Sequence, residues 1–314
     1  MAVSGSTVIQ IGIAFSGGTL TAGARSGVLV SRSVDGGMTW GAAVPLADDD
    51  GAQFFNDKET LTIDATDPSH AYAIWDRLDT TDRGPTVFTR STDGGLSWSP
   101  AAVIYDPGVS RKTIGNVVVT TPDGVVHAFF TELGPVPGNP GATEGHLAVM
   151  RSTDKGATWS APVQVADLIA VGTRVPSQPQ LTVRAGEILV AFAADPLDGT
   201  LYAAWQDSHF SGGAHDGIAM AWSSDGGATW STPTRVNADP TVPAFTPTLA
   251  VLPDGTVAVT YYDFRQSGTS TFQPTDFRLA VSSDRVTWRE TRLAGDFDIL
   301  DAPNAGGLFV GLLF

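Results

Sequence analysis

The chain contains no cysteine, and it carries few basic residues for its size. The absence of cysteine excludes disulfides, thiolate chemistry and cysteine-ligated metals, and it is neutral about compartment because a large β protein needs no covalent staples. Only 18 lysines and arginines oppose 33 aspartates and glutamates, which gives a formal net charge of −15. This field repels the phosphates of nucleic acids and anionic membranes, so we expect neither as a partner.

Long hydrophobic runs are missing as well. No apolar stretch approaches the ~20 residues that span a bilayer, so we expect no membrane insertion. Residues 1–10 have neither the basic start nor the apolar centre of an export signal. A content of 42% hydrophobic residues nevertheless supplies ample core for one domain over residues 1–314. We predict a secreted single-domain protein whose signal peptide is not part of this sequence.

The chain contains an eight-residue motif that occurs five times. Its aspartates recur at intervals of 58, 61, 71 and 59 residues, and self-similarity at such a period is typical of repeat architectures. The fifth copy is one residue shorter and contains no glycine. The five copies are Ser33–Trp40, Ser91–Trp98, Ser152–Trp159, Ser223–Trp230 and Ser282–Trp288.

The motif predicts a hairpin turn that is held in place by a packed tryptophan. Serine and aspartate side chains accept hydrogen bonds from nearby backbone N–H groups, and glycine supplies the positive φ that a tight turn requires. The closing tryptophan offers a large apolar surface for packing. We therefore assign a structural role to the five aspartates and five tryptophans, rather than a role in catalysis or sugar stacking.

Strands surround every turn. An alternating strand such as Thr86–Ser91 precedes each copy and a short strand such as Ser160–Val165 follows it. A further strand pair lies upstream, as in Thr60–Asp64 with Ala71–Asp76, joined by turn residues. No segment shows a helical period over eleven or more residues, so we predict an all-β fold whose repeat unit has four antiparallel strands.

The repeated motif resembles the Asp-box, or BNR, repeat of the sialidase superfamily. The segments Phe55–Glu59, Trp75–Asp79, Trp205–Ser208 and Tyr261–Arg265 also resemble sialidase-like proteins. The resemblance implies a β-propeller of four-stranded antiparallel blades, five-bladed by the visible repeats, with six blades as the alternative. We expect Thr7–Phe15 and Gly307–Phe314 to complete one blade together, in a propeller shortened at both ends or a fragment of a longer one.

Polar residues follow the second strand of four repeats, and strand equivalence predicts that they share one mouth of the propeller. Several carboxylates beside arginines are what a glycosidase needs, namely one acid with a raised pKa, one ionised partner and cations for an anionic group. The competing interpretation is that these charges pair with each other and pin loops. The residues are Asp76, Arg77, Glu132, Asp207, Asp263 and Arg265, with Asp57 added from the loop before the second repeat's inner strand.

The resemblance also implies roles known for sialidases, which use an arginine triad, an aspartate acid/base and a tyrosine nucleophile assisted by glutamate. Glu132 matches the assisting glutamate, Tyr262 or Tyr261 is the nearest tyrosine, and Asp57 or Asp76 would be the acid/base. Thr173–Ser177 resembles the motif that carries the first triad arginine, Arg174, and Arg184 is a rival in the same long insertion.

These observations predict a sialidase-like glycosidase that acts on an acidic or decorated glycan and needs no cofactor. Catalysis is assigned to Glu132, Asp57, Asp76 and Tyr262. Substrate binding is assigned to Arg77, Arg174, Arg184, Arg265, Asp207 and Asp263.

Two alternatives stay open. His209 and His215, which follow Asp207, would line a divalent metal site with the nearby Asp216 and Asp263, as in a lactonase-like or phosphotriesterase-like hydrolase, or the loop would hold Ca²⁺. A propeller that binds glycans or a protein partner without catalysis is the other alternative. A monomer, or a dimer paired through terminal strands, is expected.

Overall fold

The computed structural model describes residues 1–302 and 309–311, and it consists almost entirely of β-strands. The chain divides into two compact units, Met1–Val165 and Ala166–Phe314, and the boundary falls within a strand. The prediction of a single domain stays a prediction. In the described residues the two helices are three-residue 3₁₀ turns, and neither has the length or apolarity to cross a membrane.

The first unit is built from three antiparallel sheets of four strands each, ordered as in the sequence. Sheet 1 contains β1 (Ala2–Ser4), β2 (Thr7–Ser16), β3 (Arg25–Ser33) and β4 (Val44–Asp50). Sheet 2 contains β5 (Phe54–Ile63), β6 (Ala71–Asp79), β7 (Thr86–Ser91) and β8 (Ala102–Tyr105). Sheet 3 contains β9 (Lys112–Thr120), β10 (Val126–Val136), β11 (Asn139–Ser152) and β12 (Val163–Asp167).

The second unit has one small sheet and two four-stranded sheets. Sheet 4 contains β13 (Thr173–Val175), β14 (Gln178–Arg184) and β23 (Phe309–Gly311). Sheet 5 contains β15 (Ala191–Ala194), β16 (Leu201–Asp207), β17 (Gly217–Ser223) and β18 (Thr234–Arg235). Sheet 6 contains β19 (Ala244–Val251), β20 (Val257–Asp263), β21 (Pro274–Ser282) and β22 (Arg289–Asp298).

The structure corrects the prediction that the two ends complete one blade. β1 pairs with β2, so sheet 1 has four strands of its own, whereas β23 pairs in parallel with residues 182–184 of β14. The segment predicted as a long insertion is therefore a sheet that has no Asp-box of its own. Residues 303–308 and 312–314, which belong to the terminal segment of that prediction, lie outside the described residues.

The Asp-box turns are confirmed, and each joins the third strand of a sheet to the fourth. In the first copy the Ser33 hydroxyl donates to Asp35 Oδ1 at 2.7 Å and accepts from Gly37 N–H at 2.9 Å. Thr39 donates to the same aspartate through its N–H at 2.9 Å and through its hydroxyl at 2.6 Å. The aspartate thereby satisfies donors that would otherwise be unpaired within the turn.

Apolar clusters between neighbouring sheets of a unit form the core. Ile9 and Val30 of sheet 1 pack against Leu61 of sheet 2 with Trp98 at the margin, which is the packing role predicted for the repeated tryptophans. Trp159 meets Phe88 edge to face at 5.0 Å between ring centroids. Trp40 is 37% exposed, whereas Trp98 and Trp159 are partly buried. The tryptophan of the first copy is therefore less well packed than those of the second and third copies.

Candidate active site

Strand pairing aligns the repeats residue by residue. The second strand of four sheets starts opposite the Asp-box serine, in the pairs Ala71 with Ser91, Val126 with Ser152, Leu201 with Ser223 and Val257 with Ser282. Counted from these starts, the fifth residue is aromatic in all four sheets. The sixth residues are Asp76, Thr131, Gln206 and Tyr262, and the seventh are Arg77, Glu132, Asp207 and Asp263.

This alignment corrects one part of the sequence interpretation. From sequence alone Tyr262 corresponds to Trp75, since each is an aromatic residue directly before an aspartate. The strand pairs instead place Tyr262 at the position of Asp76 and Asp263 at the position of Glu132. Tyr261 is the residue that takes the aromatic place. In each sheet these positions lie at the end away from the Asp-box turn, because antiparallel strands place the end of the second strand beside the start of the third.

In sheets 2 and 5, the sixth residue of the second strand reaches the first strand of the next sheet at a β-bulge. Asn116 Nδ2 donates to Asp76 Oδ1 at 3.4 Å, and Thr246 N–H donates to Gln206 Oε1 at 3.0 Å. Each bulge contains a residue with positive φ, which is 66° at Gly115 and 55° at Thr246. An amide at this position is therefore sufficient to join two sheets.

Asp76 differs from Gln206 because it places a titratable group in that contact. Its side chain is buried, and burial, followed by the nearby Asp57 carboxylate, raises the pKa of Asp76 well above its usual range. Asp57 lies directly opposite Asp76 in the strand pair, is half-buried, and accepts from Lys58 N–H at 2.9 Å. Among the described residues neither carboxylate has a lysine or arginine in ion-pair contact.

Glu132 lies in a different environment, since its carboxylate is fully engaged. Arg111 Nε donates to Oε1 at 2.7 Å and the Tyr105 hydroxyl donates to Oε2 at 2.6 Å, while His146 Nε2 lies 3.7 Å from Oε2. Burial and the Glu132 contact raise the pKa of Tyr105. The sequence interpretation did not include Arg111, Tyr105 or His146.

In sheets 2 and 3, the seventh residue of the second strand contacts the fourth strand of the preceding sheet. Arg77 Nη2 lies 3.0 Å from Asp49 Oδ1 on β4, and the guanidinium lies 4.0 Å from the centroid of Phe54. Glu132 meets Tyr105 on β8 in the same way. Such contacts between repeats follow from the stacking of sheets and leave no periodic trace in the sequence.

In the second unit, Asp263 and Arg265 belong to a buried ion-pair cluster. Both Arg265 Nε and Arg278 Nε lie 2.7 Å from Asp263 Oδ2, and Arg265 and the Tyr261 hydroxyl also contact Glu290. Burial raises the pKa of Asp263, while the two guanidinium groups oppose that shift. Tyr262 stands apart from this cluster, with its ring 4.8 Å from that of Phe277.

The residues considered for a metal are largely engaged by hydrogen-bond donors. Asp207 accepts from His209 N–H at 2.8 Å and from Trp205 Nε1 at 3.1 Å. Asp216 accepts from the N–H groups of Val171 and Gly172 and from Gln206, and burial raises its pKa. Within residues 1–302 and 309–311, no three histidine, aspartate or glutamate side chains are grouped to hold a metal ion.

The two arginines predicted from the insertion are exposed residues of sheet 4. Arg174 Nη1 donates to the Pro179 carbonyl at 3.1 Å. Arg184 forms no ion pair with any residue that the structure describes. The arrangement therefore contains two candidate centres in the first unit, which are the Asp57–Asp76 carboxyl pair and the Tyr105–Glu132–Arg111 group.

The sequence is similar to a known repeat domain and to two xyloglucanases. Residues 69–196 match the BNR repeat-like domain. Over 246 residues the chain is 28% identical to a xyloglucanase of Paenibacillus sp, an alignment that covers 74% of this chain and 22% of that protein. A xyloglucanase of Acetivibrio thermocellus is 31% identical over 146 residues, which are 42% of this chain and 16% of that protein. The chain thus spans less than a quarter of the length of these relatives.

Solved structures agree on the fold. A Hadza microbial sialidase superposes with a TM-score of 0.52 at 16% identity, over 93% of this chain and 57% of that one. The GH93 α-L-arabinofuranosidase of Fusarium graminearum, solved with arabinobiose, superposes with a TM-score of 0.51 at 15% identity, over 76% of this chain and 66% of that one. These likenesses show that the chain shares an all-β fold with the two solved proteins, and part of it matches the BNR repeat-like domain.

Proposed function

We propose that this protein is a glycoside hydrolase whose acid/base chemistry is carried by the Asp57–Asp76 pair. The observation that carries the proposal is the buried Asp76, with its raised pKa, directly opposite a second carboxylate and with no ion-paired cation. A carboxyl at that position costs desolvation, whereas the equivalent Gln206 joins two sheets without that cost. A buried carboxyl group that carries this desolvation cost is a candidate for function.

The pair fits the chemistry that glycosidic bonds require. Burial keeps a proton on Asp76 when ordinary carboxyls are ionised, and Asp57 is the more accessible of the two. Because the two carboxyl groups face each other across the strand pair, the pair can give the Asp76 proton to the leaving oxygen as the C–O bond breaks. Water then adds to the anomeric carbon, and its proton returns to the ionised carboxylate.

The relatives support a sugar substrate, since their names describe a sialidase, an arabinofuranosidase and xyloglucanases. An acidic sugar requires guanidinium groups that are free to bind it. Arg77, the arginine next to Asp76, already pairs with Asp49, which favours a decorated neutral glycan over an acidic one at this carboxyl pair. The proposal also includes an extracellular setting.

A second candidate function is sialidase-type hydrolysis, and one contact favours it. The Tyr105 hydroxyl donates to Glu132 at 2.6 Å, the arrangement in which a carboxylate takes the proton of a tyrosine nucleophile. A cavity of about 340 Å³ lies next to this group, lined by Lys112, Leu133 and Gly134 among others. Arg111 opposes the mechanism, because its Nε lies 2.7 Å from Glu132 Oε1 and already engages the carboxylate in an ion pair.

Sugar release from a substrate panel tests the proposal. Wild type, Asp57→Asn and Tyr105→Phe proteins are incubated with xyloglucan, arabinan and an aryl sialoside, each with and without EDTA. We expect wild type to cleave a neutral glycan, Asp57→Asn to lose activity, and Tyr105→Phe and EDTA to change little. Cleavage of the sialoside alone with loss in Tyr105→Phe supports the second candidate, and activity abolished by EDTA would favour the metal alternative.

A further inference from the structure

A row of polar side chains crosses sheet 2 at the proposed acid/base pair and meets sheet 3. Asp57 lies opposite Asp76 in one strand pair, and Thr86 lies opposite Asp76 in the other. Residues that are directly opposite in a sheet project from the same face, so these three side chains share one face. On that face Asn116 of β9, which is fully buried, contacts both Asp76 and Thr86.

The Asn116 contacts belong to a series of hydrogen bonds that ends at a backbone carbonyl. The Asn116 amide nitrogen lies 3.4 Å from Asp76 Oδ1, and its oxygen lies 2.9 Å from the Thr86 hydroxyl. The Thr86 hydroxyl lies 3.0 Å from the Thr113 hydroxyl, which in turn lies 3.0 Å from the Gly84 carbonyl oxygen. Thr86 and Thr113 are also buried, so these groups depend on one another for hydrogen-bond partners.

The two threonine hydroxyls can be arranged in two directions. Each hydroxyl has one proton and lies within hydrogen-bond distance of two oxygen atoms that can accept it. The contact between Thr86 and Thr113 holds a proton only when both hydroxyls point the same way, either towards Gly84 or towards Asn116. Gly84 stays paired in both cases, because its carbonyl oxygen also accepts the Thr113 N–H at 2.7 Å.

The direction of the hydroxyls is linked to the position of the Asp76 proton. When they point towards Asn116, its amide oxygen accepts from Thr86 and its nitrogen donates to Asp76 Oδ1, so the proton of a neutral Asp76 must lie on Oδ2. When they point towards Gly84, a half turn of the Asn116 amide lets its nitrogen donate to Thr86 and its oxygen accept a proton from Asp76 Oδ1. The first direction stabilises a carboxylate, and the second stabilises the neutral acid.

The charged groups that act on Asp76 come from a single strand. Asp57 and Lys58, both on β5, oppose each other in their effect on the Asp76 proton, and Asp57 has the larger effect. The other two strands packed against Asp76 present uncharged side chains, since β7 places Thr86 opposite it and β9 places Asn116 against it. Sheet 3 therefore influences the Asp76 proton through hydrogen bonds rather than through charge.

We propose that Asn116, Thr86 and Thr113 are positioning residues that form a reversible hydrogen-bond relay. In one direction the relay holds the proton of Asp76 inside the sheet contact, and in the other it leaves the proton on Oδ2 for a substrate. The inference rests on the proposed function. After the leaving oxygen has taken the proton, the Asn116 nitrogen stabilises the carboxylate that remains, and the relay reverses when water returns a proton. No proton passes along the relay, because only the amide and the two hydroxyls turn.

The ionisation constant of Asp76 tests the relay. Carbon NMR of protein labelled at the aspartate carboxyl carbons follows the ionisation over pH, and the signal that is absent from Asp76→Asn identifies Asp76. In Thr113→Val the Thr86 proton keeps a single acceptor, Asn116, so the relay stays in the direction that stabilises the carboxylate. We expect the ionisation constant to increase about tenfold, and Thr113→Ser, which keeps the hydroxyl, to resemble wild type.

Thr89→Val is the matched control. The buried Thr89 hydroxyl lies on the same strand as Thr86 and also donates to a backbone carbonyl, that of Ser99, at 2.6 Å. This variant should leave the ionisation of Asp76 unchanged. An unchanged ionisation constant in Thr113→Val would overturn the relay, as would an equal increase in Thr89→Val. If Thr113→Val does not fold, Thr113→Ala removes the same hydroxyl, and its outcomes are interpreted in the same way.

Failure of the relay is separable from failure of the hydrolase proposal. An ionisation of Asp76 that depends on the Thr113 hydroxyl, in a protein that cleaves no glycan, retains the relay and rejects the hydrolase. Hydrolysis that depends on Asp76, with a pH profile of kcat that Thr113→Val does not shift, retains the hydrolase and rejects the relay.

Discussion

Aspartate side chains occupy two opposite electrostatic environments in this chain. In the Asp-box turns, hydrogen bonds from serine or threonine hydroxyls, followed by backbone N–H groups, lower the pKa of Asp35, Asp93 and Asp225 to about 2. In the sheet contact, burial raises the pKa of Asp76. The same residue type therefore stabilises a turn in one place and stores a proton in the other.

Asp93→Ala should lower the melting temperature by about 2–4 °C at neutral pH, because two backbone N–H groups lose their acceptor. A depressed pKa contributes stability that is fully present above the unfolded value of about 3.9 and is lost as pH falls towards about 2. The gap between wild type and variant in calorimetry should therefore close over that window.

Asp254→Ala is the matched control, since Asp254 accepts from a single backbone group, Thr256 N–H at 3.0 Å. It should cost less than Asp93→Ala. A loss of glycan hydrolysis in Asp93→Ala at unchanged melting temperature would show that the structural assignment of the Asp-box is wrong.

At the scale of strands and sheets, the turns made much of the fold predictable. The third strand of the second repeat, Thr86–Ser91, was predicted with the bounds that β7 has, because serine and aspartate fix where the strand ends. Sheet 4 was not predicted as a sheet, since it has no Asp-box and its third strand comes from far along the chain. Local patterns do not encode such long-range pairing.

The candidate site was predictable only in part for a related reason. Polar residues after apolar strands identified Asp76 and Glu132, but two adjacent tyrosines both fit the aromatic place and hid the register at Tyr262. Its partner Tyr105 comes from β8 of another sheet, and Arg111 lies in the loop directly before β9. Their relation to Glu132 depends on how sheets stack, which periodicity does not report.

The bulges on the first strands are elements that a single substitution can test. Gly115 has a φ of 66°, a conformation that costs other residues about 1–2 kcal/mol. Gly115→Ala should therefore reduce the free energy of unfolding by roughly 1–2 kcal/mol in denaturant titrations. Gly12→Ala is the control, because Gly12 lies in β2 without positive φ and with nothing within 4 Å of an added Cβ. Equal effects of the two changes would refute the bulge as a strained element.

At the scale of the whole molecule, the net charge of −15 separates neutral from acidic substrates. Like charges repel at long range, and salt screens that repulsion. For a neutral glycan, kcat/KM should stay constant between about 20 mM and about 300 mM sodium chloride, where the Debye length falls from more than 20 Å to about 6 Å. An increase of several-fold with salt would indicate an acidic substrate instead.

The raised pKa of Asp76 also predicts how the stability of the folded protein depends on pH. The unfolded chain ionises this carboxyl near pH 3.9, whereas the folded chain keeps its proton to higher pH. Folding stability from this group therefore falls as pH rises above about 4, until the folded pKa is passed. Asp76→Asn removes that loss and keeps a polar group beside Asn116, so its melting temperature at neutral pH should equal or exceed that of wild type.

The most direct test of the proposed acid/base pair compares kcat/KM of the Asp76→Asn and wild-type proteins on a glycan that wild type cleaves. Removing a general acid typically costs 10²-fold or more, so we expect a decrease of about 10²-fold or greater with an intact melting temperature. An Asp76→Asn protein that is fully folded and hydrolyses the glycan at the wild-type rate would show that the Asp57–Asp76 pair joins the sheets and takes no part in catalysis.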